Sequence, residues 1–280
     1  MSKKRTQDAI KKYFGASAAH YESQIVPAFR QFAAGVIQTA HPQGQEITLD
    51  VGTGTGILAR LIAPHVREVI GIDFAPEMIA AAQEVATPTN VRYEEADAHA
   101  LPYGDHTFEL IVSSFGLNAT EPRRVFRELH RVLKPGGRLV FHEWSVQHSM
   151  DSRLIDTLAK FMLPDEDISE ELFQMREFTR TVRPWDNILQ TTEDFEEVIS
   201  EAGFSSVQVW EDAPVMVTLS VQDFMAYKLG WANRQAELAA MDSSLLGDCL
   251  DTIRWLVQDF SDSEGNVHYD PLLFRVVAEK

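Results

Sequence analysis

The sequence predicts an α/β fold built on a doubly wound, mostly parallel sheet, with helical insertions. Three observations carry this. Strand candidates at Ile47–Val51, Val69–Asp73, Val91–Glu95, Phe108–Ser114 and Arg138–Phe141, most of them short apolar runs, alternate with helical patterns near Gly56–Ile62, Pro76–Val85 and Glu121–Val132. Strands that are apolar throughout and separated by helices belong to a parallel sheet covered on both faces. The first run also leads straight into a glycine-rich loop, "ITLDVGTGTGILARL". The chain has 280 residues, 45% of them hydrophobic, enough for one large core with appended elements.

Residues 1–45 read as an N-terminal helical cap. Its apolar and aromatic positions lie in "YFGASAAHYESQIVPAFRQFAAGVIQ", and "HPQG" stops it. The alternating core covers 46–144. After Trp144 the pattern breaks, and 145–190 read as two helices, "DSRLIDTLAKFM" and "SEELFQMREFTR", ending at "RPWDN". A core helix and strand return over 191–213, with Gly203 as the expected helix stop. A second helical insertion fills 214–270, where Ser220 and Asp242 suit helix N-caps. The apolar run "LLFRVVAE" closes the chain as the last core strand, 271–280. In an open sheet of this kind the ligand crevice lies beyond the carboxyl ends of the strands. The insertion after Trp144 leaves from that edge, so a lid over the crevice is expected.

The formal net charge is −17, and it is uneven: 26 acidic and 10 basic residues from Asp151 onward, 16 and 15 before it. Such a surface disfavours nucleic acid and anionic membranes as partners. The single cysteine, Cys249, excludes an internal disulfide and reads as structural on a helix, which suits a reducing, cytoplasmic setting. The nine histidines show no metal-ligand spacing, so no metal is expected. The N-terminal "MSKKRTQDAIKKYFGA" lacks the apolar segment of a secretory signal, and no run of about 18 apolar residues spans a membrane.

The loop glycines Gly52, Gly54 and Gly56 follow a strand that carries the acid Asp50, and all four are candidate cofactor contacts. Glycine there lets backbone approach a ligand closely, and a helix start offers N–H groups to an anion. The dinucleotide fingerprint would need a glycine at Ile57, so the spacing is GxGxG. Asp73 ends the second strand, where a carboxylate accepts from ribose hydroxyls. Both features suit a dinucleotide or S-adenosylmethionine. Asp97, at the end of the third strand, favours the second: it lies where an exocyclic amine would be, with the backbone of Ala98 beside it and Phe74 and Met78 as apolar contacts for the ring.

"LDVGTGTG", "GIDFAPEM", "ADAHALPYGDHTFELIVSSFGL" and "RVLKPGGRLVFHEWS" resemble the successive motifs of class I S-adenosylmethionine-dependent methyltransferases, closest to the ubiquinone/menaquinone C-methyltransferases and their small-molecule relatives. The resemblance covers about residues 46–145 and the later "EAGFSSVQV" unit. It implies a Rossmann-like seven-stranded sheet with an antiparallel last strand. It also implies an S-adenosyl-L-methionine site at Gly52, Gly54, Thr55, Gly56, Asp73, Asp97, Ala98 and Ser114. The chain departs from the quinone enzymes in its lid and in the roughly 60 residues before the last strand. The segment "YFGASAAHYESQ" is similar to the start of carrier-protein malonyl methyl ester synthases.

Methyl transfer needs the acceptor in line with the methyl and water excluded, with a base where the acceptor must lose a proton. His142 is the candidate base after strand five. Glu143 beside it points to the opposite side of the strand. Trp144 is a candidate apolar wall. Tyr21 on the N-terminal helix is a candidate contact over the methyl, with His20 next to it; His106 and His148 are more remote. Phe161, Phe173, Phe178, Trp185, Phe224, Tyr227 and Trp231 belong mostly to lid packing. These features give a methyltransferase acting at O or C of a small organic acceptor. Esterification of a carrier-bound acid is the alternative, and it would call for a basic patch at Arg176, Arg180 and Arg183. A binding module without turnover is the third reading.

Overall fold

The computed structural model describes residues 13–18, 20–145, 149–180 and 184–280. His148, Arg183, the side chain of Phe178 and the charged stretch 1–12 lie outside the described residues. The chain divides into two compact units. A sheet unit comprises Arg30–Ser145, Val182–Pro214 and Leu272–Lys280. A helical unit comprises Met1–Phe29, Val146–Thr181 and Val215–Pro271.

In chain order, a π-helical turn Tyr21–Ile25 leads into helix α1 (Val26–Ala40), within which the unit boundary falls. Then come β1 (Ile47–Val51), α2 (Ile57–Ile62), β2 (Glu68–Asp73), α3 (Pro76–Glu84), β3 (Val91–Glu95), β4 (Phe108–Ser114), α4 (Pro122–Val132) and β5 (Leu133–Trp144). Helices α5 (Ser149–Ala159) and α6 (Glu170–Arg180) follow in the helical unit. The chain returns to the sheet unit with α7 (Pro184–Ile188), α8 (Thr192–Glu201) and β6 (Ser206–Asp212). It crosses back for β7 (Val217–Ser220), α9 (Val221–Leu229), α10 (Ala232–Ala240), α11 (Ser243–Gln258) and β8 (Asn266–Tyr269), and ends on β9 (Leu273–Glu279).

The main sheet has seven strands in the order β3-β2-β1-β4-β5-β9-β6. Strands β1 to β5 pair in parallel, and β9 lies antiparallel between β5 and β6. The expected mostly parallel sheet with an antiparallel last strand is therefore present. Alternation along each strand feeds two cores. One face carries Leu49, Ile70, Ile72, Ile111 and Phe141, packed with Phe126, Leu129, Trp185 and Phe195. The other carries Val69, Leu110, Val112 and Val140, packed with Val36 and Ala40 of α1 and Leu58 and Ile62 of α2.

Strand order reverses between β1 and β4, where the chain runs from β1 outward to β3 and then returns. In open sheets of this kind such a switch point is where a ligand crevice forms, at the strands' carboxyl ends. Helix ends follow the expected chemistry. Thr191 and Asp194 form a capping box on α8, and Gly203 follows its end at φ 108°. Ser220 accepts from Asp223 N at 3.1 Å, and Asp242 from Ser244 N and Leu245 N at 2.9 Å each.

The helical unit contains a feature the sequence patterns do not signal, a separate two-stranded antiparallel sheet of β7 with β8. Its core is aromatic: Tyr227 lies 6.0 Å from Phe29 and 6.3 Å from Tyr269 between ring centres. Cys249 is buried on α11.

Candidate S-adenosylmethionine site

The glycine loop links β1 to α2, and all three glycines lie in the left-handed region, at φ 69°, 55° and 86° for Gly52, Gly54 and Gly56. At two of them space also forbids a side chain. A Cβ on Gly52 would come within 2.5 Å of Gly116 Cα, and one on Gly56 within 2.2 Å of the Tyr93 hydroxyl. Thr53 N donates to Ile72 O at 2.8 Å, which ties the loop to the end of β2.

Two carboxyls sit behind and beside this loop. Asp50 is 1% exposed and accepts from Thr53 Oγ1 at 2.6 Å. Burial pushes its pKa up to about 7 against the help of that bond, and the nearby Asp73 charge adds to the rise. Asp50 thus braces the loop from within, instead of facing a ligand as expected. Asp73 ends β2 and accepts from Gly54 N at 3.0 Å and from Ala75 N at 2.9 Å. Burial raises its pKa to about 6, and backbone amide bonds from Ala75, Gly54 and Phe74 hold the rise in check. Met78, expected against the adenine, is buried at 2% exposure, so its side chain belongs to the interior. Phe74 is partly exposed at the end of β2.

At the end of β3, Asp97 does two things. Its backbone carbonyl accepts from Ala100 N at 3.0 Å, closing a turn, while its carboxylate stays about half exposed. Oδ1 accepts from His99 N at 2.9 Å and from His99 Nδ1 at 2.6 Å, and this pairing holds the carboxyl below the usual range. Ala98 is partly buried beside it. His99 carries no motif signal and was not anticipated.

Strand β4 ends on Ser113 and Ser114. Ser113 Oγ donates to Val51 O at 2.7 Å and so ties β4 to β1. The buried hydroxyls of Ser114 and Thr55 have no hydrogen-bond partner in the protein. Orphaned polar atoms beside a crevice fit a bound polar molecule that completes them. Thr55 is fully buried, and its carbonyl accepts from Arg60. Beyond Ser114 the chain enters the left-handed region at Phe115, φ 60°, an uncommon position for a bulky residue. The ring stacks on Trp144 at 4.0 Å and 12°, and Phe32 meets both rings edge-on.

His142 does not meet the needs of a base. Its ring is fully buried, and Nε2 lies 3.2 Å from Thr39 Oγ1 on α1. Burial depresses its pKa to about 3, so it is neutral and weakly basic at physiological pH. Glu143, on the other side of the strand, accepts from Asn118 Nδ2 at 2.8 Å. Tyr21 lies in the helical unit, partly buried, with ring contacts to Phe29 at 6.0 Å and Trp231 at 6.2 Å.

The structure thus joins Asp50, the glycine loop and Asp73 in one hydrogen-bonded group at the switch point, with Asp97 and Ser114 on the flanking strand ends. A family model described as a methyltransferase domain matches residues 49–141, the segment that carries all of these residues. Residues 49–141 are a methyltransferase domain. A demethylmenaquinone methyltransferase of Thermus thermophilus is 45% identical to the chain over 101 residues, covering 34% of this chain and 46% of that protein. A ubiquinone/menaquinone biosynthesis C-methyltransferase of Klebsiella pneumoniae is 33% identical over 158 residues, covering 52% and 62%. The chain spans about half the length of the curated relatives it matches. The crystal structure of the YcgJ protein of Bacillus subtilis aligns with a TM-score of 0.54 at 19% identity, covering 89% of this chain and 97% of that one. The resemblance seen in the motifs of the methyltransferase domain is therefore borne out, and so is its fold.

Proposed function

We propose that the chain is an S-adenosylmethionine-dependent methyltransferase that methylates carbon or oxygen of a small organic acceptor. The observation that carries this reading is Asp73: a buried carboxylate at the end of β2, at the glycine loop, held by backbone amides and by no cationic side chain among the described residues. Ribose hydroxyls suit it as further donors. Asp97 and Ala98 would meet the adenine, Phe74 its face, and Ser114 and Thr55 the remaining polar atoms. Gly52, Gly54 and Gly56 would let the backbone approach the methionine moiety. Bound S-adenosylmethionine supplies a methyl on a sulfonium, already a good leaving group. The task left to these residues is to hold acceptor and cofactor in line and to keep water out.

The names of the two relatives above point to quinone precursors as acceptors. The carrier-protein reading loses support. Arg176 is buried with Glu237, and Arg180 pairs with Asp165 and Glu177, so these two arginines do not offer a free basic patch. No helix among the described residues is long and apolar enough to cross a membrane.

Calorimetry on the full chain tests the reading. S-adenosylmethionine and S-adenosylhomocysteine should bind at micromolar concentration and NADH should not. A methyl-transfer screen over phenols, quinols and carrier-bound acids then identifies the acceptor. Binding of NADH without binding of S-adenosylmethionine would overturn the proposal.

A further inference from the structure

His99 is held at both ring nitrogens. Nε2 lies 2.8 Å from the backbone N–H of Glu121, and Nδ1 lies 2.6 Å from Asp97 Oδ1. A backbone amide can only donate, so Nε2 carries the lone pair and Nδ1 carries the hydrogen. The geometry therefore fixes the tautomer. His99 also gives its own backbone N–H to the same Asp97 oxygen at 2.9 Å.

The far side of the ring is anchored just as firmly. Glu121 is the N-cap of α4: its carboxylate accepts from Arg124 N at 3.1 Å. Arg124 Nε returns to His99 O at 3.1 Å. The loop after β3 and the first turn of α4 are thereby closed into one ring of hydrogen bonds. The His99 side chain is 10% exposed and Asp97 is 48% exposed. A half-exposed aspartate would ordinarily turn freely between rotamers. Here two donors converge on Oδ1 and leave Oδ2 facing away from His99.

The geometry points to His99 as a positioning residue that aims the second oxygen of Asp97 at the exocyclic amine of a bound adenine, an inference that rests on the S-adenosylmethionine reading of the site. A carboxylate with one oxygen clamped accepts from an N–H in one direction only. That selects adenine over a purine without the amine.

The test compares two ligands: S-adenosylhomocysteine and its purine-riboside analogue, in which hydrogen replaces the amine. Calorimetry is run on the full chain as wild type, Asp97→Asn, His99→Ala and His99→Gln, with thermal melts alongside. A hydrogen bond to a charged acceptor corresponds to about tenfold or more in affinity. Wild type should prefer the adenosyl ligand by about that factor. His99→Ala should lower adenosyl affinity several-fold and leave the analogue unchanged, so the preference collapses, as it should in Asp97→Asn. His99→Gln keeps one donor and one acceptor and should restore part of the preference. If His99→Ala weakens both ligands equally, or lowers only the melting temperature, His99 is a structural staple and the inference fails. If wild type binds neither ligand, the site reading itself fails and takes this inference with it.

Discussion

Both units bury charge, and the carboxylates at the glycine loop of the sheet unit are treated unlike those of the helical unit. In the helical unit the deeply buried charges Lys228, Arg176 and Glu237 each have a counter-charge. Lys228 Nζ is 2.5 Å from Asp151 Oδ1 and 3.8 Å from the Tyr269 ring centre, and Tyr269 Oη donates to Asp151 Oδ2 at 2.5 Å. Arg176 clasps Glu237 through Nε at 2.7 Å and Nη2 at 2.6 Å, while Nη1 reaches Leu163 O and Asp165. In the sheet unit Glu46 is likewise buried and paired with Arg138, but Asp50 and Asp73 at the glycine loop are as deeply buried and no lysine or arginine among the described residues pairs with either. Burial raises their carboxyls to about 7 and about 6, with no cation beside them to offset it. Charges paired in the interior hold a fold together. Carboxylates buried without a counter-charge cost stability, and such a cost is tolerated where a ligand will supply donors. The contrast separates scaffold from site without reference to any relative.

The largest expected effect lies in the paired network. Asp151→Ala leaves Lys228 buried without its partner and Tyr269 Oη without its acceptor. Breaking a buried pair from one side costs about 3–5 kcal/mol, read from urea unfolding. Lys228 limits the loss by shedding its proton, since burial has already lowered its pKa to about 8. A loss below about 1 kcal/mol would place this cluster with the surface ion pairs and erase the contrast.

Asp73→Asn should behave in the opposite way. Its folded-state pKa of about 6 stands above the reference 3.8, so between those values the folded chain holds a proton that the unfolded chain releases. Wild type therefore loses stability from this group as pH rises through that window, and the asparagine variant does not. Their difference should grow with pH and level off above about pH 6, at about 3 kcal/mol before the lost acceptor capacity is counted. At pH 7 the variant should be at least as stable as wild type while S-adenosylmethionine affinity falls about tenfold or more. In wild type the same affinity should drop below pH 6, where the carboxylate takes up its proton. A variant that melted lower yet kept its affinity would make Asp73 scaffold.

How much of this was legible in the sequence follows from the range of each interaction. Strands such as β1 and β4 announce themselves because most of their side chains are buried, and they fall where their apolar runs do; β3, a half-exposed edge strand, also falls at its expected place. Caps such as Ser220 and Asp242 are local, within three residues, and were equally readable. The β7–β8 pair was not. Each strand has four residues and half-buried alternation, too short to stand apart from its flanking helices, and the partners lie some 50 residues apart. Asp73 and the glycines were legible as a ligand loop, but the inward role of Asp50 depends on the Thr53 hydroxyl turning to it. His99 was invisible for a different reason. One of its partners is a backbone N–H, and every residue but proline has one, so the pairing with Glu121 leaves no mark in the sequence.

The smallest effect at neutral pH belongs to His142, and it refines the rule that an uncompensated buried group marks a site. Alternation along β5 correctly separated His142 from Glu143, but it could not say that α1 would cover the histidine's face. The ring's hydrogen bond is with Thr39 Oγ1 through Nε2, and its Nδ1 has no hydrogen-bond partner in the protein. That hydroxyl already donates to Gly35 O at 3.1 Å. Replacing the ring by an apolar side chain, His142→Leu, removes an orphan nitrogen and costs Thr39 little, so stability at pH 7.5 should move by less than about 1 kcal/mol. Acid exposes the difference. The folded-state pKa of about 3 lies far below the reference 6.5, so the unfolded chain takes up a proton on this group that the folded chain refuses. Wild type loses stability from this group as pH falls below 6.5, by about 2 kcal/mol at pH 5, and His142→Leu should not. Methyl-transfer rate at pH 7.5 should stay within about twofold, because a neutral imidazole with so low a pKa is a poor proton acceptor. A fall of about a hundredfold in rate, with stability and cofactor affinity unchanged, would return His142 to the reaction and show that β5 moves to expose it during turnover.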